Sequence, residues 1–194
     1  NSFKTSNGLP LLDTYNQSDI ANDAGINSED AFTPHTGPLD PRIDFTIGRR
    51  GIEYNGYGPF TGKENIRASF SDISGPYAAK KSMYYAGDDV NKGTGGWGQQ
   101  RSGINYHIIR YADVLLMAAE AAVESGQLET ARGYVNQVRQ RAIDGPRADS
   151  TPNYSISTYG SAWTDAAVAR KAVRFERRLE LGMEGGRLFD LRRW

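Results

Sequence analysis

The sequence contains no cysteine, carries no net charge and has no long apolar run, and each absence narrows the class of protein. Without cysteine the chain forms neither disulfides nor thiolate metal sites, and thiol catalysis is excluded. Lysine plus arginine and aspartate plus glutamate both total 23, which argues against an electrostatic nucleic-acid binder because such a protein usually carries a basic excess. No apolar stretch approaches the length that a helix needs to cross a bilayer.

Recognised catalytic motifs are lacking as well. The two histidines, His35 and His107, stand far apart, and neither has a second histidine at metal-ligand spacing. Gly93–Gly98 fits GxGxxG literally, but residues 99–103 do not open a helix, so we interpret the segment as a flexible loop that presents Trp97. We therefore expect no catalytic residues, no cofactor, no metal site and no enzymatic turnover. A pair of carboxylates for glycoside hydrolysis is neither shown nor excluded.

Residues 110–142 predict two helices joined by a tight turn. The apolar residues of the first helix recur at helical spacing: Tyr111, Leu115, Ala118, Ala119 and Ala122. The second helix carries a similar stripe: Leu128, Ala131, Val135, Val138 and Ala142. Gly126 stands between them, where a helix C-cap favours a left-handed residue. This pattern matches part of a tetratricopeptide helix pair, although Ile143 replaces the closing proline, so an ordinary helical hairpin remains an alternative.

Residues 1–103 are rich in glycine, proline, asparagine and aspartate and show no sustained helical period, so we predict a loop-rich region with short strands. The alternation of residues 43–47 predicts a strand that follows a turn at residues 40–42. Residues 76–85 predict another short strand, and residues 88–93 predict a β-turn. The acidic residues near the start lack the spacing of a calcium loop and are interpreted as solvated: Asp19, Asp23, Glu29 and Asp30.

A third helix is predicted over residues 164–183, with Thr164 or Asp165 as its N-cap. Its predicted apolar face comprises Val168, Ala172, Phe175, Leu179 and Met183. Its charges form two rows of like sign: Arg170, Arg174 and Arg178 in one, and Glu176, Glu180 and Glu184 in the other. Like charges at this spacing repel. We therefore predict that a glutamate of this row pairs with an arginine outside its helical row, with these nearest candidates: Arg187, Arg192 and Arg193. The three helices should share one core that buries Leu115.

Three ordered blocks of the sequence resemble the SusD/RagB family. The first is Asp40-Pro41-Arg42 ahead of a strand and a glycine-rich loop. The second covers residues 108–121 and 135–139, and the third covers residues 175–181 and 185–194. The resemblance implies a mainly α fold, in which tetratricopeptide-like helix pairs support a loop-rich region with short strands. It assigns residues 1–103 to ligand binding and residues 104–194 to a helical scaffold, as a fragment of one longer domain.

The resemblance also implies a function. Members of this family are outward-facing outer-membrane lipoproteins of Bacteroidetes-type bacteria. They cap a SusC-like TonB-dependent transporter and capture glycans, or in some members peptides, for import. The lipidated cysteine is absent here, and both ends, Asn1 and Trp194, have the character of cut ends, so we expect a piece of a longer protein. We expect non-catalytic glycan capture with a transporter partner and without nucleic acid. The alternatives are a tetratricopeptide-type module that binds only protein or peptide, and a fragment of a glycoside hydrolase.

Aromatic residues in the loops are the candidate glycan-binding residues. Sugars present flat C–H faces flanked by hydroxyls, so a capture site requires an exposed ring beside hydrogen-bonding groups. Trp97 stands between glycines and is the predicted main platform. Tyr54 and Tyr57 flank Asn55 in a second loop and are the next candidates. The alternative is that these rings fold inward and cover the core, because large aromatic residues are highly buried on average.

Overall fold

The secondary structure of the chain is mainly α-helical. The computed structural model describes residues 1–62, 75–93, 95 and 102–194. Within these residues the strands are β1 (Thr5–Ser6), β2 (Leu9–Pro10), β3 (Ile47–Gly48) and β4 (Ala78–Ala79). The helices are α1 (Ile43–Thr46), α2 (Tyr111–Glu124), α3 (Leu128–Asp144), α4 (Ala166–Glu180) and α5 (Arg187–Arg193). The predicted fold, helix pairs with a loop-rich region and short strands, is confirmed.

The chain divides into two units. The helical unit contains Asn1–Ile20, Thr36–Ile43 and Ile109–Trp194. The loop unit contains Ala21–His35 and Asp44–Ile108. The assignment of residues 1–103 to ligand binding and 104–194 to scaffold concerns function and stays a prediction.

The turn between α2 and α3 forms as its glycine predicts. Gly126 has a φ of +77°, and its amide donates to the Val123 carbonyl at 3.0 Å. The next amide, of Gln127, reaches back to the Ala122 carbonyl at 2.8 Å. These two bonds satisfy carbonyls that the helix end would otherwise leave open. The cap reverses the chain within three residues, so α2 and α3 pack as a helical hairpin.

The core of the helical unit lies among α2, α3 and α4. Its fully enclosed side chains are small or branched: Leu116, Ala119, Ala131, Val135, Ala169 and Val173. The prediction that the three helices share one core is confirmed, and Leu115 is buried with 8% of its surface exposed. The predicted stripes extend too far at their ends, because Tyr111, Val168 and Met183 are exposed. Tyr111 begins α2, Val168 lies in the first turn of α4 and Met183 lies beyond its end, where fewer neighbours remain to cover a side chain.

The start of α4 follows the predicted cap. Asp165 precedes the helix in an extended conformation, and its carboxylate accepts hydrogen bonds from the amides of Ala167 (2.7 Å) and Val168 (3.2 Å). Two of the four amides that a helix N-terminus leaves open are thereby satisfied. The predicted choice between Thr164 and Asp165 resolves to Asp165.

Buried charges connect the beginning of the chain to α3 and α4. Glu176 is fully buried and accepts from Arg42 at 2.6 Å and from Arg139 at 2.8 Å. Arg42 also binds Asp40 and Glu180, at 2.7 Å and 3.1 Å. Salt bridges among the described residues form a group that we call the buried ion network, with Arg141 at its exposed edge: Asp40, Arg42, Arg110, Arg139, Arg141, Glu176, Glu180 and Glu184. These described members comprise four positive and four negative groups.

The predicted pairing of the glutamate row is confirmed, but the candidate partners were wrong. Glu176, Glu180 and Glu184 pair with arginines from the 40–42 turn, from the residue before α2 and from α3. Arg193 instead binds Glu120 at 2.6 Å and Asp190 at 3.0 Å. Helical spacing shows that such a row needs opposite charge, but it does not show which distant segment supplies it.

The loop unit contains a two-stranded antiparallel sheet in which β3 pairs with β4. The strand predicted at residues 43–47 is therefore mostly wrong: Ile43–Thr46 is a helical turn, and β3 begins only at Ile47. The Asp40 carboxylate accepts from the Arg42 amide at 3.0 Å, and the Ile43 amide donates to the Asp40 carbonyl at 3.1 Å, so the aspartate starts a turn that continues as helix. The strand predicted within residues 76–85 shortens to β4.

Two further loop predictions change. Residues 88–93 contain a 3-10 helix, Asp89–Asn91, in place of the predicted β-turn. Asp23, interpreted as solvated, is buried, with its carboxylate 3.9 Å from Arg50. The Arg50 guanidinium also donates to the Asn27 and Ser28 carbonyls at 2.9 Å and 2.8 Å, and thereby draws the acidic loop inward.

Candidate functional site

The segment from Glu53 to Phe60 is a tight hairpin-like loop in the loop unit. The Tyr54 amide donates to the Gly58 carbonyl at 3.0 Å, and the Phe60 amide donates to the Ile52 carbonyl at 2.9 Å. Inside the loop, the Glu53 carboxylate accepts from the Gly56 amide at 2.8 Å. Such short-range bonds hold the loop in one shape, so its side chains keep fixed directions.

Tyr54 lies inward and anchors this loop. Its hydroxyl donates to the Ala79 carbonyl at 2.6 Å, and its ring packs on Phe60 with centroids 5.1 Å apart. Burial, followed by the nearby Tyr57, raises the pKa of Tyr54. A Cβ on Gly48 would stand 2.6 Å from the Tyr54 ring, so the glycine in β3 makes room for it. Tyr54 therefore joins the loop to the β3–β4 sheet.

Asn55 is buried and joins the loop to the segment after β4. Its side-chain amide donates to the Tyr84 carbonyl at 3.4 Å, and its own carbonyl accepts from the Ala86 amide at 2.8 Å. Its φ of +51° is in the left-handed region, which asparagine tolerates better than most residues. Asn55 thus holds the loop against the segment that contains Tyr84 and Ala86, and its side-chain amide points into the protein.

Tyr57 is the ring of this loop that faces outward. It is 55% exposed, and its hydroxyl donates to the Tyr85 carbonyl at 3.3 Å. Tyr85 is itself 57% exposed, so two aromatic rings lie on neighbouring segments. Lys92 and Asp89 add polar groups and bond each other at 2.7 Å. We call Tyr57, Tyr85, Asp89 and Lys92 the tyrosine surface.

The pKa of Lys92 depends on its neighbours in the tyrosine surface. The hydrogen bond from Lys92 to Asp89 raises the pKa of the lysine, and the Tyr57 hydroxyl contributes in the same direction. Lys92 is therefore cationic at neutral pH and stands near the exposed ring. A hydrogen-bond donor, an acceptor and flat apolar faces thus occur together, which is the chemistry that a sugar requires.

The structure separates the predicted site residues by role. Tyr54 and Asn55 support the loop, Tyr57 is available to a ligand, and Trp97 lies outside the described residues. Sequence reasoning missed Tyr85, because residues 76–85 predict a strand, and it missed Lys92, because residues 88–93 predict only a β-turn. The signal that could have found Tyr85 is the Gly87-Asp88-Asp89 run that follows it, since such residues favour an exposed turn.

Neither a candidate metal cluster nor a membrane-spanning helix occurs in the part of the chain that the structure describes. Residues 1–62, 75–93, 95 and 102–194 contain no group of three or more His, Cys, Asp or Glu side chains that could hold a metal ion. His35 accepts a hydrogen bond from the Ala21 amide at 3.3 Å, and His107 is exposed. Among the helices of the same residues, none has the length and apolar character to span a membrane.

The helical unit thus contains a helical hairpin, and the loop unit contains a hydrogen-bonded loop with an exposed tyrosine. The model of the SusD family matches residues 1–194, and the chain belongs to this family. It is 34% identical over 122 residues to the SusD-like protein P2 of Formosa agariphila, which covers 62% of this chain and 22% of that protein. Its fold is similar to the crystal structure of a SusD-like protein from Bacteroides fragilis, with a TM-score of 0.54 and 22% identity, over 96% of this chain and 36% of that one.

These comparisons define what kind of protein this is. Members of the SusD family are generally non-catalytic, glycan-binding proteins of nutrient uptake that are exposed on the surface as outer-membrane lipoproteins. The chain spans about a fifth of the length of the Formosa relative and about a third of the Bacteroides one, at 22% and 36%.

Proposed function

We propose that this chain captures glycans, without catalysis, as part of the binding subunit of a SusC-type TonB-dependent uptake complex at the bacterial outer membrane. Family membership supports glycan binding, an outward-facing location and a SusC-like transporter as partner. The observation that carries the proposal to particular residues is the tyrosine surface. Tyr57 is exposed on a loop held by Tyr54 and Asn55, and Tyr85 is exposed on the neighbouring segment.

Tyr57 is the proposed platform of this surface. A sugar stacked on its ring would lie within reach of Lys92 as a donor and Asp89 as an acceptor. Trp97 remains a candidate second platform, proposed from its position between glycines alone. Tyr54 is proposed to act through the loop that it anchors, because its own hydroxyl is already bonded to Ala79.

The test begins with a glycan array on the intact protein, followed by calorimetry with the best ligand. Tyr57→Ala should weaken binding about tenfold, since it removes a stacking contact. Tyr57→Phe should keep most of the affinity, because the ring remains. Tyr111→Ala, which removes a tyrosine that is 73% exposed on α2, is the matched control. Equal glycan affinity of wild type and a folded Tyr57→Ala variant would remove Tyr57 from the site. The variant Trp97→Ala, measured in the same way, tests whether Trp97 contributes to glycan binding.

Capture of a protein or peptide is the second candidate. It is supported by the outer face of α2, where Tyr111, Val114 and Met117 are exposed at 73%, 43% and 44%. An array without any glycan ligand, together with peptide binding that is lost in Met117→Glu, would favour this function.

A further inference from the structure

Most buried arginines of the helical unit have carboxylate partners. Arg42 binds Asp40 and Glu176, Arg139 binds Glu176, and Arg177 binds Asp113 at 2.7 Å and Asp190 at 3.1 Å. This is the expected arrangement, because a buried charge without a partner is strongly unfavourable.

Three other arginines of the same unit are half-buried and lack such a partner in the described part of the chain. Arg174 and Arg178 lie one turn apart on α4, and Arg187 begins α5. Among the described residues, none of the three has a carboxylate within salt-bridge distance. The Nε of Arg174 and the Nη1 of Arg187 are buried and have no hydrogen-bond acceptor there. Buried donors almost always have a partner, so these two nitrogens require an explanation.

Aromatic rings hold the three guanidiniums in place. Arg174 and Arg187 lie over the Trp194 ring, with their central carbons 4.7 Å and 5.2 Å from its centroid. Arg178 lies 4.7 Å from the centroid of Tyr15 and donates to the Tyr15 hydroxyl at 2.7 Å. Cation–π contacts fix the orientation of a guanidinium but leave its N–H groups free to donate in the ring plane.

Two carboxylates near these arginines are already engaged. Glu124 binds Arg170 through both oxygens, at 2.6 Å and 2.8 Å. Asp190 accepts from Arg177 and Arg193, at 3.1 Å and 3.0 Å. Within the part of the chain that the structure describes, the cluster therefore keeps an excess of positive charge. Burial lowers the pKa of Arg187, and the charge of Arg178 lowers it further.

We propose that Arg174, Arg178 and Arg187 form a binding site for a compact oxyanion, the chemistry shared by sulfate and phosphate groups. Guanidinium groups favour such anions because their N–H donors match the spacing of the oxygens. The rings of Trp194 and Tyr15 pre-orient the donors, and the anion supplies the acceptors that the described residues do not. The site uses no residue of the tyrosine surface, so it does not depend on the proposed glycan platform.

The test is a titration of the intact protein with sodium sulfate and with sodium phosphate, against sodium chloride at equal ionic strength. Indole fluorescence and isothermal calorimetry report binding, because Trp194 contacts two of the arginines. We expect a saturable response to the oxyanions and none to chloride. Methyl sulfate and methyl phosphate then show which ester the site prefers.

The variants Arg178→Gln and Arg187→Gln should each weaken oxyanion binding at least tenfold. Arg192→Gln is the matched control, since it removes the same charge from an exposed position of α5. Circular dichroism checks the fold, and if Arg187→Gln does not fold, Arg178→Gln decides. The proposal is overturned by unchanged sulfate affinity in a folded Arg178→Gln variant. It is also overturned if wild type responds to sulfate no more than to chloride, as expected for a cluster occupied by a carboxylate of its own polypeptide.

Discussion

Glu176 is the residue whose surroundings differ most from those of an ordinary helical glutamate. It is fully buried, and each of its oxygens accepts from a different arginine. A buried ion pair adds little compared with well-packed apolar groups, but removing one partner leaves the other charge without compensation. Glu176 therefore supplies negative charge that allows Arg42 and Arg139 to be buried in their charged form.

We predict that Glu176→Gln lowers the free energy of unfolding by about 3–5 kcal/mol, because the buried Arg139 loses its carboxylate partner and Arg42 loses one of the three that it has among the described residues. Urea unfolding followed by circular dichroism measures the change. Glu124→Gln is the control, since Glu124 binds Arg170 at an exposed position where water replaces the lost partner. Equal stability losses in both variants would show that the network is no stronger than a surface pair.

We predict that Leu115→Ala lowers the free energy of unfolding by about 2–5 kcal/mol, since it leaves a cavity in the core of α2, α3 and α4. Met117→Ala on the same helix is the control, because Met117 is 44% exposed. Chemical denaturation of both variants gives the comparison. A loss below about 1 kcal/mol for Leu115→Ala, close to the effect of a surface substitution, would contradict burial in a packed core.

For individual residues, the sequence predicts which side chains are buried better than it predicts which charged side chains pair with each other. The apolar spacing of α2, α3 and α4 correctly identified Leu115, Val135 and Leu179 as core residues. The same spacing showed that the glutamate row needed arginines, yet it named the nearby Arg187 and Arg193 in place of Arg42 and Arg139. Burial follows from periodicity within one helix, whereas an ion pair between distant segments depends on how the whole unit packs.

Among the helices, the glycine cap that ends α2 in the α2–α3 hairpin can be tested by substitution. Gly126 has a φ of +77° with no atom near its would-be Cβ, so a side chain there meets only backbone strain. Gly133 lies in α3 at an exposed position with the same open space and without a positive φ. The two glycines therefore differ in conformation and not in room.

We predict opposite effects for the same substitution. Gly126→Ala should destabilise the protein by about 1–2 kcal/mol, because alanine disfavours the left-handed conformation. Gly133→Ala should stabilise it by about 0.5–1 kcal/mol, because alanine favours a helix interior. Thermal and urea unfolding measure both changes. If both variants shift stability in the same direction, the cap is not what ends α2.

The contact of α4 with the 40–42 turn makes the stability of the helical unit depend on pH in the acid range. Burial alone would raise the pKa of Glu180, but Arg42, Arg141 and Arg110 outweigh it and hold that pKa below its ordinary value. Burial and Arg42 act on Asp40 in the same opposed way, and the pKa of Asp40 is also lowered. A carboxyl group whose pKa is lower in the folded protein stabilises the fold above its unfolded pKa and loses that contribution as the pH falls through the folded one.

We therefore predict that stability changes little from neutral pH to about pH 5 and falls below about pH 4, the ordinary range of carboxyl pKa values. Urea unfolding at several pH values measures this profile. Glu180→Gln should make the acid decline shallower, because one of the linked protons is removed. A variant profile parallel to that of wild type would exclude Glu180 from the linkage.

For the molecule as a whole, the family and fold could be predicted from sequence, whereas the candidate site could be predicted only in part. Gly126, Asp165 and the apolar stripes are local signals, and the structure confirms them. The tyrosine surface arises because Tyr57 and Tyr85 are brought together by the bonds of Tyr54 to Ala79 and of Asn55 to Ala86. Those bonds join segments about thirty residues apart, and no local sequence pattern predicts them.

The buried ion network also bears on how the protein is made. Arg42 and Glu176 are separated by 134 residues, and the Thr5 hydroxyl donates to the Ser155 carbonyl across 150 residues. On the ribosome, the segments that contain Thr5 and Arg42 emerge long before α4 exists, so their polar groups must remain hydrated in the meantime. Contacts of such long range form slowly, because a large loop must close before they contribute. The segments that contain Thr5 and Arg42 thus become stable only after α4 has been synthesised.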